Sequence, residues 1–306
     1  MTRCLVTGAS GLLGLNLCLQ FSPEFEVFGV TNTISLSNLP FQTIKKNLEE
    51  PDAIKDIIDQ YKPDIVLHCA AMANIDQCEL NPDLTFRLNA ELPGEIAYLT
   101  KRKGIKLVHI STDAVFDGQK GNYSEDDQPN PLGVYAKSKL VGENFVSANN
   151  PEALIARVNF YGYSITGKRS LSEFFLNNLL ENKSMLGFTD VFFCPLIVND
   201  LVDLLHEMIN ADLCGIYHTL SCESLSKYEF GCLIAEKFSL DSDLIKPVSV
   251  YESGLVATRS LNLTLQTQKL SSALDKQLPD QLSGINHLFN LYWEGYAEKI
   301  KNFLAK

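Results

Sequence analysis

The stretch CLVTGASGLLG (residues 4–14) decides the fold, because an apolar run passes directly into a glycine-rich turn and then into a helix-like segment. Gly8 permits the tight turn, Gly11 lets the backbone approach a pyrophosphate, and Gly14 lets the helix and the strand pack closely. The N-terminus of the following helix offers free N–H groups and partial positive charge to an anion. The pattern favours a dinucleotide-binding loop over an ordinary glycine-rich turn of an α/β protein.

The first half of the chain alternates strand-like and helix-like segments. Strands are expected at 4–8, 27–31, 43–47, 64–71, 106–112 and 153–158. Helices are expected at 12–20, from Pro51 to Tyr61, from Asn81 to Lys103 and from Gly133 to Ala148. This alternation predicts a doubly wound parallel sheet of the Rossmann α/β type, with helices on both faces.

The pattern changes after residue 159. Ser226 and Glu229 form a capping-box pattern that predicts the start of a helix, and the last 25 residues are expected to be helical. We expect residues 1–158 to form an NAD(P)-binding Rossmann domain, to which part of 186–212 returns. Residues 159–306 are expected to form mainly a smaller, mixed α/β cap that binds substrate over the C-terminal strand ends.

The composition limits the kinds of partner. The 306-residue chain has a net charge of -11, which disfavours binding to nucleic acid. The chain enters a strand almost at its N-terminus, and no apolar run reaches the ~20 residues that span a bilayer, so we expect a cytoplasmic protein without a membrane partner. The eight cysteines are expected to be reduced core residues: Cys4, Cys18, Cys69, Cys78, Cys194, Cys214, Cys222 and Cys232.

The end of the second strand bears on the choice of cofactor. An acidic residue there would bind the adenine ribose of NAD, but the chain has Thr31 and Asn32. No acid repels a 2′-phosphate, and no arginine is present to hold one. Lys45 and Lys46 are the nearest cations. The sequence therefore predicts NADP(H) or NAD(H) without choosing between them.

Tyr135 and Lys139 are four residues apart, which places a phenol and an ammonium group on one face of a helix. In ketone reduction the phenol can donate a proton to the carbonyl oxygen, and the nearby ammonium group is expected to lower its pKa. Thr112 ends a predicted strand together with Ser111, so its hydroxyl can polarise the same carbonyl. The spacing of the tyrosine and the lysine is common by chance. Their location beside the end of a predicted strand is what favours a catalytic role.

Several stretches carry a resemblance to a known family. The segment HISTDAVFDGQKGNYSEDDQPNPLGVYAKSKLVGE (109–143) resembles the active-site block of the dTDP-4-dehydrorhamnose reductase family of extended short-chain dehydrogenases/reductases. The resemblance extends to TGASGLLG (7–14), CAAMANIDQCE (69–79) and RLNAELPGEIA (87–97), which together span most of the first domain. It implies NAD(P)H-dependent reduction of a 4-keto-6-deoxy nucleotide sugar.

The resemblance also implies roles for individual residues. Thr112, Tyr135 and Lys139 would be catalytic, with Asn89 in support. Together with the glycine pattern, it gives these cofactor-binding candidates: Gly8, Ser10, Gly11, Leu12, Leu13, Gly14, Thr31, Asn32, Asn47, Leu48, Cys69, Ala70, Ala71, Asn89, Ser111, Tyr135 and Lys139. The substrate-binding candidates are Met72, Thr112, Asp113, Val115 and Phe160.

The chain departs from the family on the substrate side. Met72-Ala73 replace a Tyr-Thr pair, Asn159-Phe160 replace a Ser-Trp pair, and Ser260 replaces a proline after Arg259. These changes leave the identity of the sugar open.

Two alternatives remain. One is a nucleotide-sugar epimerase or dehydratase, although dehydratases of this superfamily carry a glutamate where this chain has Ala114. The other is a non-catalytic subunit like the β subunit of methionine adenosyltransferase. A homodimer is possible, and no histidine pair has metal-ligand spacing.

Overall fold

The computed structural model describes residues 1–252 and 260–305. Its strands are β1 Arg3–Thr7, β2 Glu26–Thr31, β3 Gln42–Lys45, β4 Ile65–His68, β5 Lys106–Thr112, β6 Leu154–Val158, β7 Phe160–Tyr161, β8 Met185–Phe188, β9 Phe192–Phe193, β10 Leu196–Ile197, β11 Gly215–Thr219, β12 Leu225–Ser226, β13 Ile245–Val248 and β14 Asn262–Leu263. Its α-helices are α1 Leu12–Phe21, α2 Ala53–Tyr61, α3 Ile75–Leu80, α4 Pro82–Phe86, α5 Leu92–Lys103, α6 Gly133–Asn149, α7 Leu171–Leu180, α8 Val198–Asn210, α9 Lys227–Lys237, α10 Gln268–Leu274, α11 Gln281–Trp293 and α12 Tyr296–Lys301.

The main sheet has seven strands in the order β11-β6-β5-β4-β1-β2-β3, and its pairs are parallel. Strands buried on both faces are expected to be apolar, and β1, β4 and β6 are buried along nearly their whole length. The strand order reverses between β1 and β4, where open sheets of this kind bind ligands. The prediction of a doubly wound parallel sheet is confirmed.

Helices cover both faces of the sheet. One face packs against α1 and α8, whose leucines share a hydrophobic cluster with β1, β4, β5 and β6. The other face packs against α2 and α5, through Ile54, Ile57 and Ile96 among others. Two elements of the second half of the chain, α8 and β11, therefore contribute to this layered core. The division into a first domain and a cap stays a prediction.

Three expected helices differ in the structure. The helix expected from Pro51 begins at Ala53, because Asp52 before it has a left-handed backbone with φ of 58°. The long helix expected up to Lys103 is divided into α4, a π-helical turn at Arg87–Glu91, and α5. The C-terminal segment forms α11 and α12, separated at Gly295, whose φ is 74°.

The remaining elements build a second layer of structure with its own core. The capping box is confirmed, since Ser226 Oγ accepts a hydrogen bond from the N–H of Glu229 at 3.1 Å and Glu229 Oε2 accepts one from the N–H of Ser226 at 2.7 Å. Phe175 of α7, Phe230 of α9 and Leu288 of α11 are buried together in this core. Strand β8 pairs with β13, and β9 lies between β12 and β14.

Within residues 1–252 and 260–305, no helix combines the length and the apolar character needed to cross a membrane. The expectation that all cysteines are core residues is wrong for Cys214 and Cys222, which are exposed.

Candidate active site

The loop between β1 and α1 requires glycine at the positions expected. Gly8 has φ of 71°, and a Cβ atom there would lie 2.8 Å from the backbone nitrogen of Ala70. A Cβ atom on Gly14 would overlap the carbonyl oxygen of Gly8. The N–H of Gly11 donates to that same oxygen at 2.8 Å, which closes the turn before α1 begins. Bare backbone at the start of a helix is suited to a pyrophosphate group.

A cleft of about 230 Å³ opens over this loop at the C-terminal ends of β1, β2, β3 and β4. Ten of the expected cofactor-binding residues line it: Gly8, Ser10, Gly11, Thr31, Asn32, Asn47, Leu48, Cys69, Ala70 and Ala71. Two cations line it as well, Lys46 and Arg169. Lys46 was visible in the sequence as a nearby charge, whereas no sequence pattern connects Arg169 with this loop.

Other expected cofactor-binding residues lie around the cleft without lining it. Leu12, Leu13 and Gly14 belong to the first turn of α1, and Leu13 is buried in the core below it. The hydroxyl of Ser111 donates to Glu143 Oε1 at 2.5 Å. Asn89 lies in the π-helical turn and is buried.

The side chain of Asn89 joins two parts of the site. Its amide nitrogen donates to the carbonyl oxygen of Met72 at 2.9 Å and to Ser138 Oγ at 3.0 Å, and its oxygen accepts from the N–H of Met72 at 2.9 Å. Ser138 lies on α6 between Tyr135 and Lys139. Asn89 therefore ties the segment after β4 to the helix that carries the phenol and the ammonium group.

Tyr135 of α6 is half-buried and forms a hydrogen bond with Thr112 at the end of β5. Burial raises the pKa of the phenol to about 12, and the hydrogen bond with Thr112 opposes this rise. The direction is opposite to the lowering expected from Lys139, because burial outweighs the other influences on the phenol. At neutral pH the phenol is protonated, as a proton donor must be.

Lys139 is almost fully buried, and its Nζ donates to the carbonyl oxygen of Ile110 in β5 at 2.7 Å. Burial lowers its pKa to about 8, while the nearby Glu143 opposes the fall. The charge of Lys139 also acts on Cys69, which lines the cleft. The ammonium group therefore lies close to the glycine-loop cleft.

A buried ion pair lies behind Lys139. Glu143 of α6 and Arg157 of β6 are 1% and 2% exposed at their side chains. Arg157 Nη2 donates to Glu143 Oε2 at 2.8 Å and Nε donates to Oε1 at 3.0 Å. With the bond from Ser111 Oγ, this carboxylate is fully engaged and fixes α6 against β5 and β6.

The expected substrate-binding residues are in different environments. Asp113 is buried, and its carboxylate accepts from Asn159 Nδ2 at 2.6 Å and from Thr112 Oγ1 at 3.1 Å. Burial raises the pKa of the Asp113 carboxyl. Met72 and Phe160 are half-buried.

Val115 departs from its expected role in the sugar site. It has no exposed surface and packs in a cluster with Phe116, Tyr123 and Leu220, so it supports the site from the core. Arg259 lies outside the described residues. In the part of the chain that the structure describes, no three His, Cys, Asp or Glu side chains group as a metal site would.

The doubly wound sheet, the glycine loop, and the threonine, tyrosine and lysine at β5 and α6 define the class of extended short-chain dehydrogenases/reductases. A family model described as the RmlD substrate binding domain matches residues 2–293. The chain belongs to this family.

Three proteins that are similar to this chain have different names. The probable low-salt glycan biosynthesis reductase Agl14 of Haloferax volcanii is 29% identical over 94% of this chain and 98% of its own length. The methionine adenosyltransferase 2 subunit beta of Bos taurus is 32% identical over 88% of this chain and 82% of its own length. A crystal structure of dTDP-4-dehydrorhamnose reductase from Bacillus anthracis in complex with NADP is 27% identical, with a TM-score of 0.84 over 95% of this chain and 99% of that chain.

Proposed function

We propose that the protein is an NAD(P)H-dependent reductase of a 4-keto-6-deoxy nucleotide sugar. Two features of the structure most support this function: the hydrogen bond between Tyr135 and Thr112 at the end of β5, and the charge of Lys139 close to Cys69 in the glycine-loop cleft. The similarity to the dTDP-4-dehydrorhamnose reductase of Bacillus anthracis, whose crystal structure contains NADP, also supports this function. We propose the roles of these residues and the class of substrate together with the activity.

The roles of the side chains follow from their surroundings. When bound, the dinucleotide supplies a hydride to the ketone carbon. Tyr135, protonated at neutral pH, donates its proton to the ketone oxygen. The Thr112 hydroxyl, which donates to Asp113 in the absence of substrate, would turn to donate a hydrogen bond to that oxygen. Lys139 is cationic below about pH 8, and its positive charge favours the phenolate that Tyr135 becomes.

The loop after Thr112 supports reduction over elimination of water. Ala114 carries no acid or base, and its N–H donates to Thr112 Oγ1 at 3.2 Å. The neighbouring carboxylate, Asp113, is buried and accepts a hydrogen bond from Asn159 Nδ2 at 2.6 Å. The loop therefore offers no free group for abstracting a proton from carbon.

The test offers 4-keto-6-deoxy sugars linked to dTDP, UDP or GDP, together with NADPH or NADH, to the purified protein. Absorbance of the reduced cofactor is followed while the sugar product is identified by mass, and a reaction without sugar is the control. We expect one cofactor oxidised for each sugar reduced.

Two other outcomes would contradict the proposal. Conversion of the sugar without cofactor consumption would indicate an epimerase or dehydratase, because those enzymes regenerate their cofactor. Tight cofactor binding without turnover of any sugar nucleotide would indicate a regulatory subunit.

A further inference from the structure

Arg169 lines the glycine-loop cleft although it lies far along the chain from the other lining residues. Those residues come from the ends of β1 to β4 and the segments directly after them, together with Leu88 of the π-helical turn. Arg169 belongs instead to the turn before α7, and its side chain is exposed. The cleft is thus bounded by the second half of the chain on one side.

The turn that presents Arg169 is organised by a buried carboxylate. Glu173 is 3% exposed and accepts hydrogen bonds from four donors. The N–H and the Oγ of Ser164 each donate at 2.7 Å, the N–H of Arg169 at 2.9 Å and the N–H of Ser170 at 3.1 Å. Such charge-assisted bonds fix the backbone from which the arginine side chain extends.

The two cations of the cleft differ in their partners. Lys46 Nζ forms an ion pair with Glu50 at 2.5 Å, which offsets its charge. The guanidinium of Arg169 has no hydrogen-bonding or ionic partner among residues 1–252 and 260–305. The chain has a net charge of -11, so an arginine without an ion pair beside the glycine loop is unusual. Such a cation is suited to bind a phosphate group. A guanidinium matches a phosphate group with two parallel hydrogen bonds.

We propose that Arg169 binds a phosphate group of the dinucleotide, so that the cofactor is held by both halves of the chain. The proposal rests on the proposed function, since it requires a bound NAD(P). In this proposal the glycine loop contacts the phosphates through backbone N–H groups, and Arg169 adds a side-chain cation from the turn before α7. The bridging pyrophosphate and the 2′-phosphate of NADPH share this chemistry.

The experiment measures dissociation constants of NADPH and NADH by fluorescence titration for the parent protein and three variants. Arg169→Gln is expected to weaken binding about 10- to 100-fold, the usual scale for a lost charge-assisted hydrogen bond. Arg169→Lys keeps the charge without the paired donors, and its affinity is expected to be intermediate. The control is Lys168→Gln, an exposed cation next in sequence that does not line the cleft, and it is expected to bind like the parent.

The two cofactors distinguish the two phosphates. An equal loss for NADPH and NADH assigns Arg169 to the pyrophosphate, and a loss for NADPH alone assigns it to the 2′-phosphate. Dissociation constants within about twofold of the parent for both cofactors, with unchanged thermal unfolding, would overturn the proposal. A parent protein that binds neither cofactor would refute the proposed function itself, before any variant is compared.

Discussion

The phenol of Tyr135 lies half-buried where α6 packs against β5, next to the hydroxyl of Thr112. We expect Tyr135→Phe to lower turnover at least about 100-fold, because the proton donor is lost. Dinucleotide binding should be unchanged, since only one hydroxyl is removed. Tyr98→Phe is a matched control, because that tyrosine is exposed on α5 and bonds to Arg102. Steady-state kinetics measures the turnover, and titration measures cofactor binding. Similar turnover in Tyr135→Phe and the parent would refute the role of Tyr135 as proton donor.

The ammonium group of Lys139 gives the reaction a pH dependence. Because burial lowers its pKa to about 8, the cation is present below that pH and is lost as pH rises through it. The neighbouring His68 and Cys69 have pKa values of about 3 and about 12, and burial holds His109 well below its usual range. None of these three changes charge between pH 7 and 10. We therefore expect kcat/KM for ketone reduction to fall above about pH 8.

Measurement of kcat/KM from pH 6 to 10 tests this expectation. Lys139→Arg keeps a permanent positive charge, so the decline should disappear from whatever activity remains in that variant. A profile that stays flat from pH 7 to 10 in the parent would show that the charge of Lys139 does not matter.

At the scale of elements, the pair of Glu143 and Arg157 connects α6 to β6. Removing one member of a buried pair leaves the other charge without compensation, at a cost of about 3–5 kcal/mol. We expect Glu143→Leu to lower the free energy of unfolding by this amount in chemical denaturation. Glu152→Gln is the control, because its ion pair with Lys101 is exposed and should contribute little. A change in Glu143→Leu no larger than in the control would contradict this.

The sequence predicted the type of most elements and missed where some of them begin or break. Pro51 predicted a helix that starts at position 51. Asp52 has a left-handed backbone, which delays the start of α2 to Ala53, and the proline gives no indication of this. The π-helical turn contains Asn89, whose side chain bonds to Met72 and Ser138, residues that are distant in sequence and meet only in the folded chain. Local pattern carries no information on such contacts.

The same reason separates the foreseeable part of the candidate site from the rest. The glycine loop and the pair on α6 are local patterns, so the residues were identifiable before their surroundings were known. The place of Arg169 depends on how the second half of the chain packs against the first. The pKa of Tyr135 depends on burial, which spacing along a helix does not reveal.

At the scale of the whole molecule, the main sheet is completed by residues from both halves of the chain. Strand β6 is buried between β5 and β11, and α8 covers one face together with α1. Synthesis delivers β6 to the growing sheet well before α8 and β11 leave the ribosome. During that interval the nascent chain presents an unpaired strand edge and an uncovered apolar face, the two features that promote aggregation. The strand edge and the apolar face therefore stay exposed while residues 159–219 are synthesised, and a slow stretch of translation there prolongs their exposure.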